Sequence, residues 1–399
     1  MGKQKHTHDV LICGAGLGGL AAAIALARRG MNVRIIEKSV ELGEVGAGIQ
    51  LSPNAMHVLN ALGLQGQVEA ASFEPEASVI RDYATGRALV EVPLKNICAS
   101  RYGAPYFHIH RADLHRILES AARDLGVSIA LGQTATGITQ TDTHVHLETQ
   151  KEAHSGDVLI GADGVRSQVR DALLGAAPPE FTGQVAWRGV VPKEALPEGL
   201  ISPDATVWVG PQHHFVTYYV RSGSLINFVA VQERSDWINT GWSEQGDTTE
   251  LRDAFKGWHP QITALLEATK ECYLWALLER APLPSWSDGR ITLLGDAAHP
   301  MLPFMAQGAA MALEDAWVLA DRLADHKPQE AFQRYAQIRK PRATMVQAMS
   351  QGNAKLFHRR NSIFDLWPRA KLKVGGLIPQ AAYLQLDKIY GVNVTEASQ

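Results

Sequence analysis

One stretch near the start of the chain constrains the fold more than any other. Asp9 to Cys13 is a short apolar run, and it meets Gly14-Ala15-Gly16-Leu17-Gly18-Gly19. The run predicts a buried parallel strand. Leu17 to Arg29, rich in Ala and Leu, predicts a helix that Gly30 stops. Val33 to Glu37 predicts a second strand. Strand, glycine turn, helix and strand within about 30 residues form a βαβ unit. Gly14, Gly16 and Gly19 fit G-x-G-x-x-G. In such a turn the first glycine permits the bend and the second lets a pyrophosphate approach the backbone. The third lets helix and strand pack closely. The helix start then offers unpaired N–H groups and a positive dipole end to phosphates. Glu37 falls about 20 residues on, where a carboxylate suits a ribose 2′-hydroxyl and repels a 2′-phosphate. The turn alone does not separate NAD from FAD.

The 399 residues are 46% hydrophobic and 20% charged, enough for a sizeable core without disulfides. Lys and Arg number 38 against 41 Asp and Glu, for a net charge of −3, which argues against a nucleic-acid partner. Three cysteines (Cys13, Cys98 and Cys272) are widely spaced without a CxxC, which predicts a reducing, cytoplasmic setting. Val10 to Ala27 is the most apolar stretch, but its glycines and the following Arg28 and Arg29 suit a strand, turn and buried helix rather than a membrane span. The N-terminal MGKQKHTHDV lacks the apolar core of a secretory signal.

Further along, Ala112 to Leu125 predicts a helix, and Val127–Ile129, His144–Leu147 and Val158–Ile160 predict strands. From about Phe181 to Glu233 the texture becomes alternating and aromatic, with turns at GPQHH and RSGS, as in an antiparallel sheet. Leu251 to Ala268 predicts one helix, Ile291 to Leu294 a strand, and Gly308 to Ala324 a long helix with helical texture continuing to about residue 350. Val374 to Gln380 is a weak break. These patterns predict an α/β chain whose nucleotide-binding part, residues 1–180 and 285–350, is split around a β-rich insertion at 181–284. Residues 351–399 form a C-terminal helical segment.

Two more motifs join the first. VLIGADGVRSQVR, from Val158 to Arg170, brings a strand to Asp163-Gly164. By itself this is an ordinary Asp-Gly turn. ITLLGDAAHPMLPFMAQGAAMALED, from Ile291 to Asp315, brings a strand to Asp296, then a Pro-containing loop, then a helix opened by Gly308-Ala309-Ala310. Asp296 suits a sugar-like hydroxyl, and small residues at a helix start let N–H groups touch a flat, partly anionic ring.

With HRADLH at His110 to His115, these motifs resemble the single-component FAD-dependent aromatic hydroxylases, the family of para-hydroxybenzoate, salicylate and 3-hydroxybenzoate 6-hydroxylases. The resemblance runs from about Asp9 to residue 350 and implies a Rossmann-like FAD-binding domain with an inserted β-sheet substrate domain. It implies that the Gly14, Ala15, Gly16 and Gly19 turn, with Glu37 and Lys38, holds the ADP half of FAD. Arg111 is implied near the pyrophosphate and Asp296 on the ribityl or ribose part. Gly308, Ala309 and Ala310 are implied at the flavin's pyrimidine edge. The Asp163-Gly164 motif is similar to the stretch tied in the family to both FAD and NAD(P)H. EVGAGI, from Glu44 to Ile49 and including Gly48, resembles the loop beside the isoalloxazine. The implied chemistry is reduction of FAD by NADH or NADPH, with a lean to NADH, then addition of dioxygen. The resulting C4a-hydroperoxyflavin attacks an electron-rich ring, so the partner is a small aromatic acid or phenol. Only one full G-x-G-x-x-G is present, so a separate nicotinamide domain is not expected.

On Gln212 to Val220, alternation puts His214, Val216 and Tyr218 on one face and His213, Phe215, Thr217 and Tyr219 on the other. His214 and Tyr218 form the best local candidate for a proton path to a substrate phenol, against the plainer reading of two polar-tipped sheet residues. Phe304 stands, after Pro303, where some relatives carry a polar residue, which favours a simple aromatic acid or phenol over a hydroxynicotinate. Gln50, Arg188 and Met301 are further pocket candidates. No metal is expected, because His108 and His110 lack a third ligand at metal spacing. His299 reads as structural, and Arg339–Arg342 and His358–Arg360 read as solvated helix faces. The oligomeric state is open in the sequence, and the C-terminal helices are the candidate surface for a homodimer contact. Two alternatives stand behind the hydroxylase: a flavin oxidoreductase or epoxidase acting on a polyketide, terpenoid or antibiotic, and a non-catalytic flavin-binding regulator.

Overall fold

The structure, a computed structural model, describes residues 8–43, 47–234, 245–358 and 379–396. Asp9–Cys13 lies at the centre of a six-stranded sheet ordered 287–288, 291–293, 158–161, 9–13, 32–36 and 128–130. All pairs are parallel except the short Ser287–Asp288 edge. The central strands are apolar on both faces, because helices cover both. Helix Leu17–Ala27 is buried along nearly its whole length and packs against Gly308–Asp325. The helix that starts at the glycine turn therefore meets the helix that starts the third motif.

An eight-stranded sheet forms the second layer, in the order 245–246, 272–279, 180–192, 225–233, 213–220, 205–210, 77–82 and 88–93. It is antiparallel except where Ala205–Gly210 runs parallel to Ala77–Asp82. The strands at 77–93 come from well before residue 181, so the inserted sheet borrows two strands from the first segment. Small antiparallel sheets, 48–51 with 107–110 and 72–73, and 135–140 with 145–149 and 153–156, flank the two large ones.

Three expectations need correction. Leu251 to Ala268 is two helices, Thr248–Ala254 and Pro260–Glu267. Gly257 has φ +82°, and Pro260 occupies the first turn of the second helix, whose start the His259 ring caps at Gln261 N. Arg339 is fully buried: it pairs with Asp315 at 2.7 Å and with Glu314, which also binds Arg342. A basic run on helix Pro328–Phe357 thus faces two acids on helix Gly308–Asp325, not water. His358 is also buried. Arg359, Arg360 and most of the Val374–Gln380 break lie outside the described residues, and Pro379 and Gln380 open the helix Pro379–Tyr390.

Candidate active site

The glycine turn has a separate local reason for each glycine. Gly14 has φ +105°, and a Cβ there would lie 2.5 Å from the Ala162 carbonyl oxygen. A Cβ on Gly19 would collide with the Gly14 carbonyl. Around Gly16 a Cβ would meet nothing within 4 Å, and Gly16 lines the main cavity. Helix Leu17–Ala27 has no side-chain cap, so its first N–H groups stay open. The Glu37 carboxylate accepts from Ala15 N at 2.7 Å and from Ser39 N at 2.9 Å, tying the second strand to the turn. Lys38 beside it is exposed. His115, from the HRADLH stretch, donates its Nε2–H to Ala15 O at 2.8 Å. Burial lowers His115, which keeps it neutral in that role.

From Gly16 the cavity, about 860 Å³, runs past Arg111, Asp296, Gly308 and Ala309 to the large sheet, where His214 and Tyr218 line it. Burial lowers the Arg111 guanidinium, and Asp296 opposes that shift. Burial raises the Asp296 carboxyl, with His299 and Arg111 opposing. The loop carrying Asp296 is pinned from below: Asp315 accepts from Gly295 N at 3.1 Å and from His299 at 2.5 Å. Burial pushes Asp315 up, yet His299 and Arg339 bring it down to about 2. Asn54 donates to Gln307 Oε1 at 3.1 Å and to Glu314 at 2.6 Å, and Gln307 donates to Ser52 at 2.9 Å. The start of the Gly308 helix is thereby fixed to a helix near residue 53. Ala310 points away into the core and does not line the cavity.

Asp163 also stands outside the cavity wall. It accepts from Ser167 Oγ at 2.5 Å, Gln168 N at 2.7 Å and Val169 N at 3.2 Å, so it anchors the start of helix Gln168–Leu174, and its neighbours Ala162 and Gly164 line the cavity. Burial raises its carboxyl, and those donors oppose the shift.

At the far end, His214, Val216 and Tyr218 share the cavity face of strand His213–Val220. Burial pushes the Tyr218 phenol up and His214 well down. Tyr218 packs 4.6 Å, ring to ring, from His108, which burial lowers to about 3. A Cβ on Gly48 would strike the Tyr218 ring, and Gly48 N donates to Asn227 Oδ1 at 2.6 Å. The described part of the 44–49 loop is thus held against the sheet; Glu44 to Gly46 lie outside the described residues. Gln50 accepts from the Tyr106 hydroxyl at 2.6 Å. Arg188 is fully buried, 5.0 Å from the Trp275 ring and 5.7 Å from Tyr273, and burial lowers it to about 10. Met301 and Phe304 line the cavity, with Phe304 set edge-on 5.1 Å from His214.

The sequence reading missed His115, Asn227, Tyr106 and Trp275. Of these only His115 had a local signal, as the second histidine of HRADLH.

These features leave one continuous cavity between the two large sheets, with room for a dinucleotide cofactor at the glycine turn and a second ligand at the far end. The residues fit FAD: open space over Gly16, an uncapped helix start, and one continuous cavity within the range of about 300–1,000 Å³ common for ligand sites. The chain matches the FAD binding domain family over residues 7–350. It is 38% identical over 393 residues to 3-hydroxybenzoate 6-hydroxylase of Polaromonas naphthalenivorans (strain CJ2), covering 96% of each. It is 39% identical over 357 residues to 6-hydroxynicotinate 3-monooxygenase of Pseudomonas fluorescens, covering 87% of this chain and 91% of that one. A salicylate hydroxylase substrate complex is similar in structure, with a TM-score of 0.81, 27% identity, and 98% of this chain and 97% of that one covered. Klebsiella pneumoniae HpxO complexed with FAD and uric acid gives a TM-score of 0.83 at 25% identity over 94% of this chain and 95% of that one. The chain belongs to the FAD-binding domain family. Its cofactor is FAD and its class is the flavin-dependent aromatic-ring monooxygenases.

Proposed function

We propose that this chain hydroxylates a small aromatic acid or phenol of the hydroxybenzoate or salicylate type, using NAD(P)H and dioxygen. The observation that carries the reading is one cavity that starts at Gly16 and ends on the His214, Val216 and Tyr218 face. Gly14, Gly16, Gly19 and the open helix start hold the pyrophosphate. Glu37 serves the adenosine ribose, Asp296 and Arg111 the middle of the cofactor, and Gly308 with Ala309 the ring edge. Bound FAD supplies the activation of dioxygen that side chains lack.

The residues at the sheet do the rest. Burial holds His214 neutral, which leaves a ring nitrogen on the cavity face free to take the substrate phenol proton. Burial keeps Tyr218 protonated, so it donates to a ring oxygen and orients the substrate. Arg188 favours a substrate that carries a negative charge. Val207, Val229, Leu302 and Phe304 line this end and exclude water. The relatives act on rings with an oxygen substituent, as their names say, and this supports the same substrate class.

The test is NADH and NADPH oxidation with oxygen uptake and product analysis, across hydroxybenzoates, salicylate and 6-hydroxynicotinate. A hydroxylated product from at least one benzoate, with NADH preferred, is the expected outcome. Cofactor oxidation that no ring compound stimulates would overturn the proposal. Among the described residues no helix is long and apolar enough to cross a membrane. Buried free thiols at Cys13, Cys98 and Cys272 support a cytoplasmic setting. The proposal includes a homodimer contact through the C-terminal helices, which sedimentation tests.

A further inference from the structure

Behind His214 lies a line of polar groups that a catalytic base alone does not require. His214 Nδ1 is 2.7 Å from His358 Nε2, and His358 Nδ1 is 3.0 Å from Glu233 Oε1. The three residues come from strand His213–Val220, the end of helix Pro328–Phe357 and the end of strand Leu225–Glu233. His214 and His358 are 2% and 6% exposed, whereas the Glu233 side chain is 29% exposed. One end of the line therefore touches the cavity and the other touches water. A backbone bridge between Gly210 and His358 fixes the middle member.

We infer that His214, His358 and Glu233 form a proton relay that carries the substrate's phenolic proton from the cavity to solvent. This rests on the reading of His214 as the base. The hydrogen-bond directions follow from the acceptor at the end. The Glu233 carboxylate accepts from Nδ1–H of His358. That leaves His358 Nε2 as acceptor for Nδ1–H of His214, and His214 Nε2 as the basic nitrogen for the substrate. The Gln184 amide nitrogen is 3.4 Å from His358 Nδ1, but its Oε1 has no partner. Turned over, that amide offers His358 a second acceptor, in the same sense as Glu233.

The step balances. The substrate O–H proton moves to His214 Nε2, the His214 Nδ1 proton moves to His358 Nε2, and the His358 Nδ1 proton moves to Glu233. Three N–H or O–H bonds form and three break, one proton reaches the surface, and no redox change occurs. Glu233 lets a buried pair carry a charge briefly: burial lowers His358, while Glu233 raises it. Among the described residues, the other titratable group facing the pair is His213, which lowers both. The rings of Phe304 and Phe357 cover His214. An aromatic wall of this kind keeps the proton from leaving by bulk water.

The test uses the holoenzyme with 3-hydroxybenzoate first, then the other members of the panel above. His358→Gln keeps hydrogen bonding and volume but cannot pass a proton. It is expected to lower kcat by about tenfold or more with KM within about twofold and flavin absorbance unchanged. The deficit narrows as pH rises, because more of the phenolic substrate then arrives already deprotonated and needs no relay. Glu233→Gln is expected to fall between this variant and wild type. His358→Gly is expected to regain activity with added imidazole. Wild-type kcat and pH profile in His358→Gln, while His214→Ala is slow, overturns the relay and leaves the base in place. If His214→Ala is also wild type, or if no panel member is hydroxylated, the underlying reading fails and the relay with it. If His358→Gln loses flavin or solubility, imidazole rescue of His358→Gly decides: rescue with a restored pH profile supports the relay, and no rescue rejects it.

Discussion

The two ends of the cavity are built by different means. At the end proposed for the cofactor's phosphates, backbone conformation sets the site: Gly14 bends, Gly16 opens and Gly19 lets the helix close on the strand, all within six residues. At the sheet end, side chains set it, and they arrive from far apart. His214 meets His358 across 144 positions, and Asn227 meets Gly48 across 179. A site made of backbone is written in a short motif, because the requirement is steric and local. A site made of side chains depends on which strands pair, and that is decided by the whole core.

The comparison can be broken or sharpened by substitution. The largest effect is expected between the two ends. Arg339→Ala leaves Glu314 and Asp315 buried without their main counter-charge, so it should cost about 3–5 kcal/mol of stability, read by denaturant unfolding. A loss within that range shows that the loop carrying Asp296 depends on distant ion pairs, and an unchanged midpoint would show that it does not. His214→Ala should lower the hydroxylation rate by about 100-fold, with more peroxide released per NADH and with FAD still bound. Loss of FAD instead would mean that the two ends are not separable. Gly16→Ala should fold normally, since its Cβ meets no protein atom, yet should weaken FAD binding by about tenfold through contact with the phosphates. Flavin fluorescence titration reads this, and wild-type affinity would remove Gly16 from the phosphate site.

The smallest effect concerns pH. Burial lowers His108, His110, His115, His213 and His214, so the folded chain binds fewer protons than the unfolded chain below about pH 6.5. This stabilisation is present above that pH and is lost as pH falls toward the depressed folded values. The melting temperature should drop by several degrees, about 1 kcal/mol or more, between pH 7 and pH 5. A melting temperature that rises on acidification would contradict the burial of these rings.

The same contrast explains how much could be read from the residues. The βαβ unit, Glu37, Asp296 and the Gly308 helix start were legible because strand, turn and helix signals stand next to one another. Alternation on one strand placed His214 and Tyr218 on a shared face. The strands at 77–93 escaped because their pairing partner, Ala205–Gly210, lies more than a hundred positions on. Arg339 and Arg342 were misread because a basic helix face looks the same in sequence whether it meets water or the acids of another helix. Asp163 sits in a motif that the family resemblance links to the cofactor, yet its carboxylate is taken up by Ser167 and two backbone N–H groups. Sequence could not distinguish those two uses.

The central claim is that one cavity holds the flavin along its length and a phenolic ring against His214. Titrating hydroxybenzoates into the FAD-loaded protein while following the flavin absorbance and its rate of reduction by NADH tests it most directly. The account predicts a saturable spectral change with at least one benzoate and faster reduction in its presence. A flavin whose spectrum and reduction rate no member of the series alters would contradict it.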